Sequence, residues 1–230
     1  MISVIGFDLD DTLWSVAPVI KKAELLLAVW LEDTVPGYNY DHRKLAIIRD
    51  SLIENEPSLA HKLTQLREQI IKNSLGSSVS KNRAISITET AMEIFLNARN
   101  DVEFFEGATD TLFDLARSYR LGAITNGNAD IVRLGLSHVL SFAFYAEQVG
   151  APKPFPDLFL AALAHTNCKP SEFVYVGDDP VKDIDAANAL GINTVWMRSD
   201  KERSTGESEP DRVIDDIREL PAVIKGLVGS

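Results

Sequence analysis

A single cysteine, Cys168, stands in 230 residues. That excludes any disulfide within the chain and fits a reducing compartment. Positive charge is scarce as well: 23 Lys and Arg face 34 Asp and Glu, a formal net charge of −11. Without a basic surplus to neutralise phosphates, nucleic acid is excluded as the main partner. A small phosphorylated metabolite is not, because it needs only a local positive site or a bound cation. Long apolar runs are missing too. The opening MISVIGFDLD has no basic residue ahead of its apolar run, unlike a signal peptide, and Leu25–Leu31 is too short to cross a bilayer. The expectation is a cytoplasmic protein without membrane contact, a monomer or homodimer. His42, His61, His138 and His165 show no metal-ligand spacing, and no internal repeat is present.

What remains is the composition of an ordinary globular protein, 45% hydrophobic and 25% charged. Short apolar runs read as buried strands at Ile2–Phe7, Leu121–Thr125, Phe173–Val176 and Asn193–Met197, with a weaker one at Phe142–Ala146. Helical patterns at Thr109–Ser118, Pro156–His165 and Pro180–Leu190 alternate with them. Strand–helix alternation implies an α/β fold, a parallel sheet covered on both faces. The interval from Trp14 to about Asn100 breaks the pattern. It reads as four helices, Pro18–Glu32, Asp41–Asn55, Ser58–Leu75 and Asn82–Arg99, with a turn at Gly76-Ser77-Ser78. An interval so long is no loop. The expected organisation is a catalytic core of residues 1–14 and 101–230 with a helical cap, 15–100, inserted after the first strand. The polar tract Ser199–Asp211 reads as a mobile loop.

Ligands of open parallel sheets bind beyond the carboxyl ends of the strands. The first strand ends in "FDLDDTLW", delivering Asp8, Asp10, Asp11 and Thr12. The second ends in Thr125, Asn126 and Gly127, and the fourth in Gly177, Asp178 and Asp179, with Asp183 on the helix behind. Lys153 lies between, flanked by prolines. Carboxylates this close repel, so one holds a raised pKa while another stays ionised, a division suited to acid–base work. Mg²⁺ would offset the repulsion, since it takes a few carboxylate oxygens together with water and substrate phosphate. Thr125, Asn126 and Lys153 offer a hydroxyl, an amide and a charge to a phosphate. Asp11 reads as a cap or turn residue, Asp179 as either a helix cap or a metal ligand, and Trp14 and Trp30 as core.

This constellation resembles the haloacid dehalogenase-like hydrolases. The similarity rests on Asp8-Leu9-Asp10-Asp11-Thr12, on Thr125 in "AITNGN", on Lys153 in "APKPFPDLF", and on the acidic "VGDDPVKDIDAANALG". "FFEGATDTLFDL" looks like the return from an inserted cap into the core. The resemblance implies a Rossmann-like core and a Mg²⁺-dependent phosphatase. Asp8 would be the nucleophile and Asp10 the acid–base group. The metal would sit on Asp8, the main-chain carbonyl of Asp10 and Asp178, with Asp179 the alternative to Asp178. Thr125, Asn126 and Lys153 would bind the phosphoryl group, and Asp183 would support the metal or orient Lys153. Within the family the details are most similar to bacterial phosphatases of flavin mononucleotide and of 5-amino-6-(5-phospho-D-ribitylamino)uracil, a riboflavin precursor. The cap would read the leaving group, with Tyr38 and Tyr40 as ring contacts or as packing within the cap. The alternatives are a sugar phosphomutase, a phosphatase of phosphoglycolate, sugar phosphates or nucleotides, a 2-haloacid dehalogenase, for which Asp10 has no use, and a phosphoacceptor signalling domain.

Overall fold

The computed structural model describes residues 1–76, 79–198 and 206–228. The chain divides into two compact units, one of Met1–Val16 with Glu103–Ser230 and one of Ala17–Val102. The first is built on a six-stranded sheet, all of its pairings parallel: β1 (Val4–Phe7), β2 (Arg120–Thr125), β3 (Leu140–Tyr145), β4 (Phe173–Gly177), β5 (Asn193–Met197) and β6 (Arg212–Ile214). Their order is β3-β2-β1-β4-β5-β6. The chain therefore winds outward from β1 on one side, then crosses back to β4 on the other. The chain leaves the carboxyl end of β1 toward β2 and that of β4 toward β5, on opposite sides, and such a switch leaves a crevice. Every residue of β1 and β4 is buried, as their runs of Val, Ile and Phe require of central strands.

Close approach of aromatic rings sets part of the sequence. Gly122 in β2 faces Phe142, and a Cβ at that glycine would stand 2.1 Å from the ring. Phe142, Phe159, Phe173 and Tyr175 then share one buried cluster, in which the Phe159 and Tyr175 rings meet edge to face at 4.7 Å. Helices α5 (Ala108–Ala116), α6 (Ala146–Val149), α7 (Asp157–Thr166), α8 (Ala186–Asn188) and α9 (Leu220–Val228) complete this unit.

The second unit carries α2 (His42–Asn55), α3 (Leu63–Ser74), α4 (Lys81–Arg99) and all but the first residue of α1 (Val16–Thr34). Leu27, Leu31, Ile71, Ile87 and Phe95 form its own core. Tyr38 and Tyr40 pack against that core and bond Ser74 and Glu24. No helix among the described residues is long and apolar enough to cross a membrane.

Three local readings change. The continuous helix expected over Ser58–Leu75 is a 3₁₀ turn, Pro57–His61, followed by α3, because Lys62 leaves the helical region at φ −100° and ψ 67°. The helix expected over Pro180–Leu190 begins as a π-helical turn, Pro180–Asp185, before α8. Residues 199–205 of the tract expected to be mobile lie outside the described residues, as do Ser77 and Ser78 of the expected turn. The remainder of that tract is tied down: the amides of Glu207 and Ser208 both donate to the Asp185 carboxylate at 2.8 Å, and β6 follows.

Gly122→Ala should destabilise the protein by about 1–3 kcal/mol, the usual cost of overpacking a core. Denaturant unfolding at constant slope checks this, and an unchanged midpoint contradicts it.

Candidate active site

The loop after β1 folds back on itself tightly. The amides of Thr12 and Leu13 bond the Leu9 carbonyl, and Asp11 N–H donates to the Trp14 carbonyl at 2.7 Å. Asp11 takes a left-handed conformation, φ 61°, which Asp tolerates better than most residues. Its carboxylate accepts from the amide of Val16, the first residue of α1. The fully buried Trp14 lies edge to face with Phe104 and donates its indole N–H to Asp10 Oδ1 at 3.0 Å. Trp14 is thus core, as its sequence suggests, and also holds Asp10 in orientation, which the sequence did not indicate.

Asp8 leaves β1 with its own amide bonded to Val176 of β4. Its carboxylate accepts from Lys153 Nζ at 2.9 Å. The same ammonium donates to Asp183 Oδ1 and to the Tyr175 hydroxyl, both at 2.6 Å. Lysine has three protons to donate, and each has a partner. Tyr175 in turn donates to the Ile124 carbonyl. Asp183 Oδ2 takes the Asp179 amide, and Asp183 packs so closely on Gly177 that a Cβ there would stand 2.4 Å from its carboxyl carbon. Asn126 clamps the lysine's backbone from both sides: its side chain donates to the Lys153 carbonyl and accepts from the Lys153 amide. Thr125 is buried at the end of β2, and its hydroxyl accepts from the Gly127 amide. Asp178 is buried, bonded by the Thr12 hydroxyl. Asp179 caps the turn that follows it, accepting from the Val181 and Lys182 amides, and pairs with Lys182.

All the residues singled out in the sequence, Asp8, Asp10, Thr125, Asn126, Lys153, Asp178, Asp179 and Asp183, line one hollow of about 170 Å³ at the carboxyl edge of the sheet. Carboxylate oxygens of Asp8, Asp178 and Asp183 all lie within 4.8 Å of one another. Asp179 stands outside that group. Tyr175 was missed. Its only sequence signal is a hydroxyl within an otherwise apolar strand.

The electrostatics follow from burial. Desolvation pushes the Asp8 carboxyl up to about 7, with help from the charges of Asp183 and Asp10, although Lys153 opposes the shift. Burial works against the charge of Lys153 as well, but Asp183 and Asp8 outweigh it and hold the ammonium protonated above its usual range. One lysine shared by two buried carboxylates leaves the cluster short of positive charge. Hard oxygen donors in that state fit a divalent cation such as Mg²⁺. Both Asp183 oxygens are engaged with Lys153 and the Asp179 amide, so Asp8 and Asp178 are the side chains suited to hold the ion.

Comparison with known proteins shows what the chain is similar to. The family model described as haloacid dehalogenase-like hydrolase matches residues 5–197. The 5-amino-6-(5-phospho-D-ribitylamino)uracil phosphatase YigB of Escherichia coli (strain K12) is 32% identical over 199 residues, 86% of this chain and 84% of that protein. A glyceraldehyde 3-phosphate phosphatase of Methanocaldococcus jannaschii is 28% identical over 235 residues, 99% of each. Among solved structures, a 2-haloacid dehalogenase from Pseudomonas syringae pv. Tomato DC3000 superposes with a TM-score of 0.94 at 36% identity, covering 98% of this chain and 99% of that one.

Because the folded value for Asp8 is about 7 against 3.8 in an open chain, the metal-free folded state keeps a proton that the unfolded chain has lost across that interval. The contribution of Asp8 to stability therefore falls as pH rises from about 4 to about 7. In chelator, Asp8→Asn should unfold near the wild-type temperature at about pH 4 and be more stable than wild type, on the order of 1–3 kcal/mol, at about pH 8. Thermal unfolding at the two pH values checks this, and an equal gap at both contradicts it.

Proposed function

The chain belongs to the haloacid dehalogenase-like hydrolases and is a phosphatase of small phosphorylated substrates; we propose that it works through an aspartyl-phosphate on Asp8 with Mg²⁺, and that its substrate is flavin mononucleotide or 5-amino-6-(5-phospho-D-ribitylamino)uracil. The carrying observation is the burial of Asp8, Lys153 and Asp178 in one hollow at the sheet's switch point.

In this reading the Asp8 carboxylate attacks phosphorus while the bond to the leaving oxygen breaks. Asp10, oriented by the Trp14 indole, gives that oxygen its proton. Asp10 then takes a proton from the water that attacks the aspartyl-phosphate, which releases phosphate and restores Asp8. The Thr125 hydroxyl and Lys153, whose bond to Asp8 would pass to a phosphoryl oxygen, hold the transferring group, and Asn126, Tyr175 and Asp183 hold Lys153. Asp8, the Asp10 carbonyl and Asp178 would hold Mg²⁺, which when bound neutralises charge on the carboxylates and the phosphoryl oxygens. Asp179 is assigned a capping role.

The substrate assignment is supported by the relative of 32% identity that acts on the ribitylaminouracil phosphate. The likeness to a 2-haloacid dehalogenase raises carbon–halogen hydrolysis as a second reading, which would also use Asp8. That reaction gives no work to Asp10, and halide release from a short 2-haloacid tests it directly.

Asp8→Asn should lower kcat by roughly 10³-fold or more, as removal of a nucleophile does, and excess chelator should abolish wild-type turnover. Full turnover in either case contradicts the mechanism. Asp10→Asn should slow the second step, so that phospho-enzyme accumulates with an activated substrate; steady-state rates unchanged across pH would contradict its role. For the substrate, kcat/KM is to be compared for flavin mononucleotide, the ribitylaminouracil phosphate, sugar phosphates and phosphoglycolate. One of the first two should lead. A lead of more than about tenfold by a sugar phosphate or phosphoglycolate, ~1.4 kcal/mol in transition-state binding, overturns the substrate while leaving the phosphatase intact.

A further inference from the structure

The acidic hollow, about 170 Å³, has room for a phosphoryl group and little else. A second hollow of about 680 Å³ opens on the same unit, and Asp11 lines both. It follows the same carboxyl edge of the sheet, from the loop after β1 to Met197 at the end of β5 and Asp215 just past β6. Its size falls in the ordinary range of small-molecule sites. Phe105 and Met197 give it apolar wall, and Arg198 and Arg218 its positive charge.

Those arginines are already taken. Arg198 meets Asp215 through two parallel bonds of 2.7 and 2.8 Å. Arg218 is bonded by Asp216 and, at 2.7 Å, by Glu106. The hydrogen bonds from these arginines hold the carboxyls of Asp215 and Asp216 below the usual range, Asp216 at about 2, so both are ionised at neutral pH. With Asp11 and Glu106, four acids face two arginines around the hollow. A second anionic group on a ligand would meet two guanidinium charges already matched by the carboxylates of Asp215, Asp216 and Glu106, and a surplus of like charge.

We propose that this hollow receives the leaving group of the substrate, and that it selects an uncharged, ring-bearing group over one carrying a second phosphate or carboxylate. The assignment rests on the phosphatase reading above and adds to it a place and a charge preference for the part of the substrate that is not phosphate. The ring lies against Phe105 and Met197, and its polar edge meets the outer faces of the two arginine–carboxylate pairs.

The test compares flavin mononucleotide, acetyl phosphate and phosphoglycolate in wild type, Phe105→Ala and Glu106→Lys, all with Mg²⁺. Phe105 keeps its main-chain bonds to Leu13 and Ala108 in the alanine variant, and turnover of acetyl phosphate reports that each variant is folded. Wild type should show a lower KM for flavin mononucleotide than for acetyl phosphate. In Phe105→Ala the ratio of kcat/KM for flavin mononucleotide to that for acetyl phosphate should fall about tenfold, mostly through KM. In Glu106→Lys the ratio for phosphoglycolate to acetyl phosphate should rise about fivefold. A wild-type KM for flavin mononucleotide no lower than for acetyl phosphate, or ratios unmoved in both variants, overturns the assignment. Loss of acetyl phosphate hydrolysis in wild type would instead overturn the phosphatase reading on which it stands.

Discussion

Everything in the catalytic unit is arranged around one buried ammonium, that of Lys153, held between the carboxylates of Asp8 and Asp183 and the hydroxyl of Tyr175. A buried lysine is expensive unless it is paired and hydrogen-bonded, so its surroundings are specified closely. Asn126 fixes its backbone, Gly177 leaves space for Asp183, and Tyr175 is anchored by Ile124 and packed by Phe159. The lysine then does two opposed things. It tethers Asp8, yet by sharing its charge with Asp183 it leaves Asp8 undercompensated, and burial pushes that carboxyl up to about 7. The proposed mechanism would complete this charge arrangement with a cation and an anionic group entering together. A phosphoryl transfer site needs that condition, because its catalysis is mostly positioning and charge neutralisation.

The strand order explains why these groups meet at all. Asp8, Thr125 and Asp178 are far apart in sequence, but β1 sits centrally with β2 and β4 on either side. The carboxyl ends of those three strands are neighbours, and the switch in winding direction opens space between them. The larger hollow continues along the same edge past β5 and β6, so the sheet that builds the acidic hollow also borders the larger one.

Much of this was legible in the sequence, for identifiable reasons. Central strands announce themselves as apolar runs, and their ends as abrupt clusters of Asp, Thr and Gly, so the residues of the acidic hollow could be named in advance. What escaped notice had weak local signals. β6 is three residues long, with two of them exposed, and follows a polar tract that reads as loop. The break at Lys62 carries neither Gly nor Pro. Tyr175 and Trp14 look like core residues and are core residues; their hydrogen bonds to Lys153 and Asp10 depend on which neighbours the fold brings near, which no local pattern encodes. The pairing of Arg198 with Asp215 and of Arg218 with Glu106 is likewise tertiary, the latter between residues more than a hundred positions apart.

The central claim is that the carboxylate Lys153 tethers at the end of β1 is the one that becomes phosphorylated. An acyl phosphate is reduced by borohydride, which would convert an aspartyl-phosphate into homoserine. Quenching the enzyme with borohydride during steady turnover of a good substrate in Mg²⁺, followed by mass analysis of the peptide spanning Ile2–Trp14, should find homoserine at position 8 and unaltered aspartate at 10 and 11. Unmodified Asp8 under full turnover, or homoserine at another aspartate, would contradict the account.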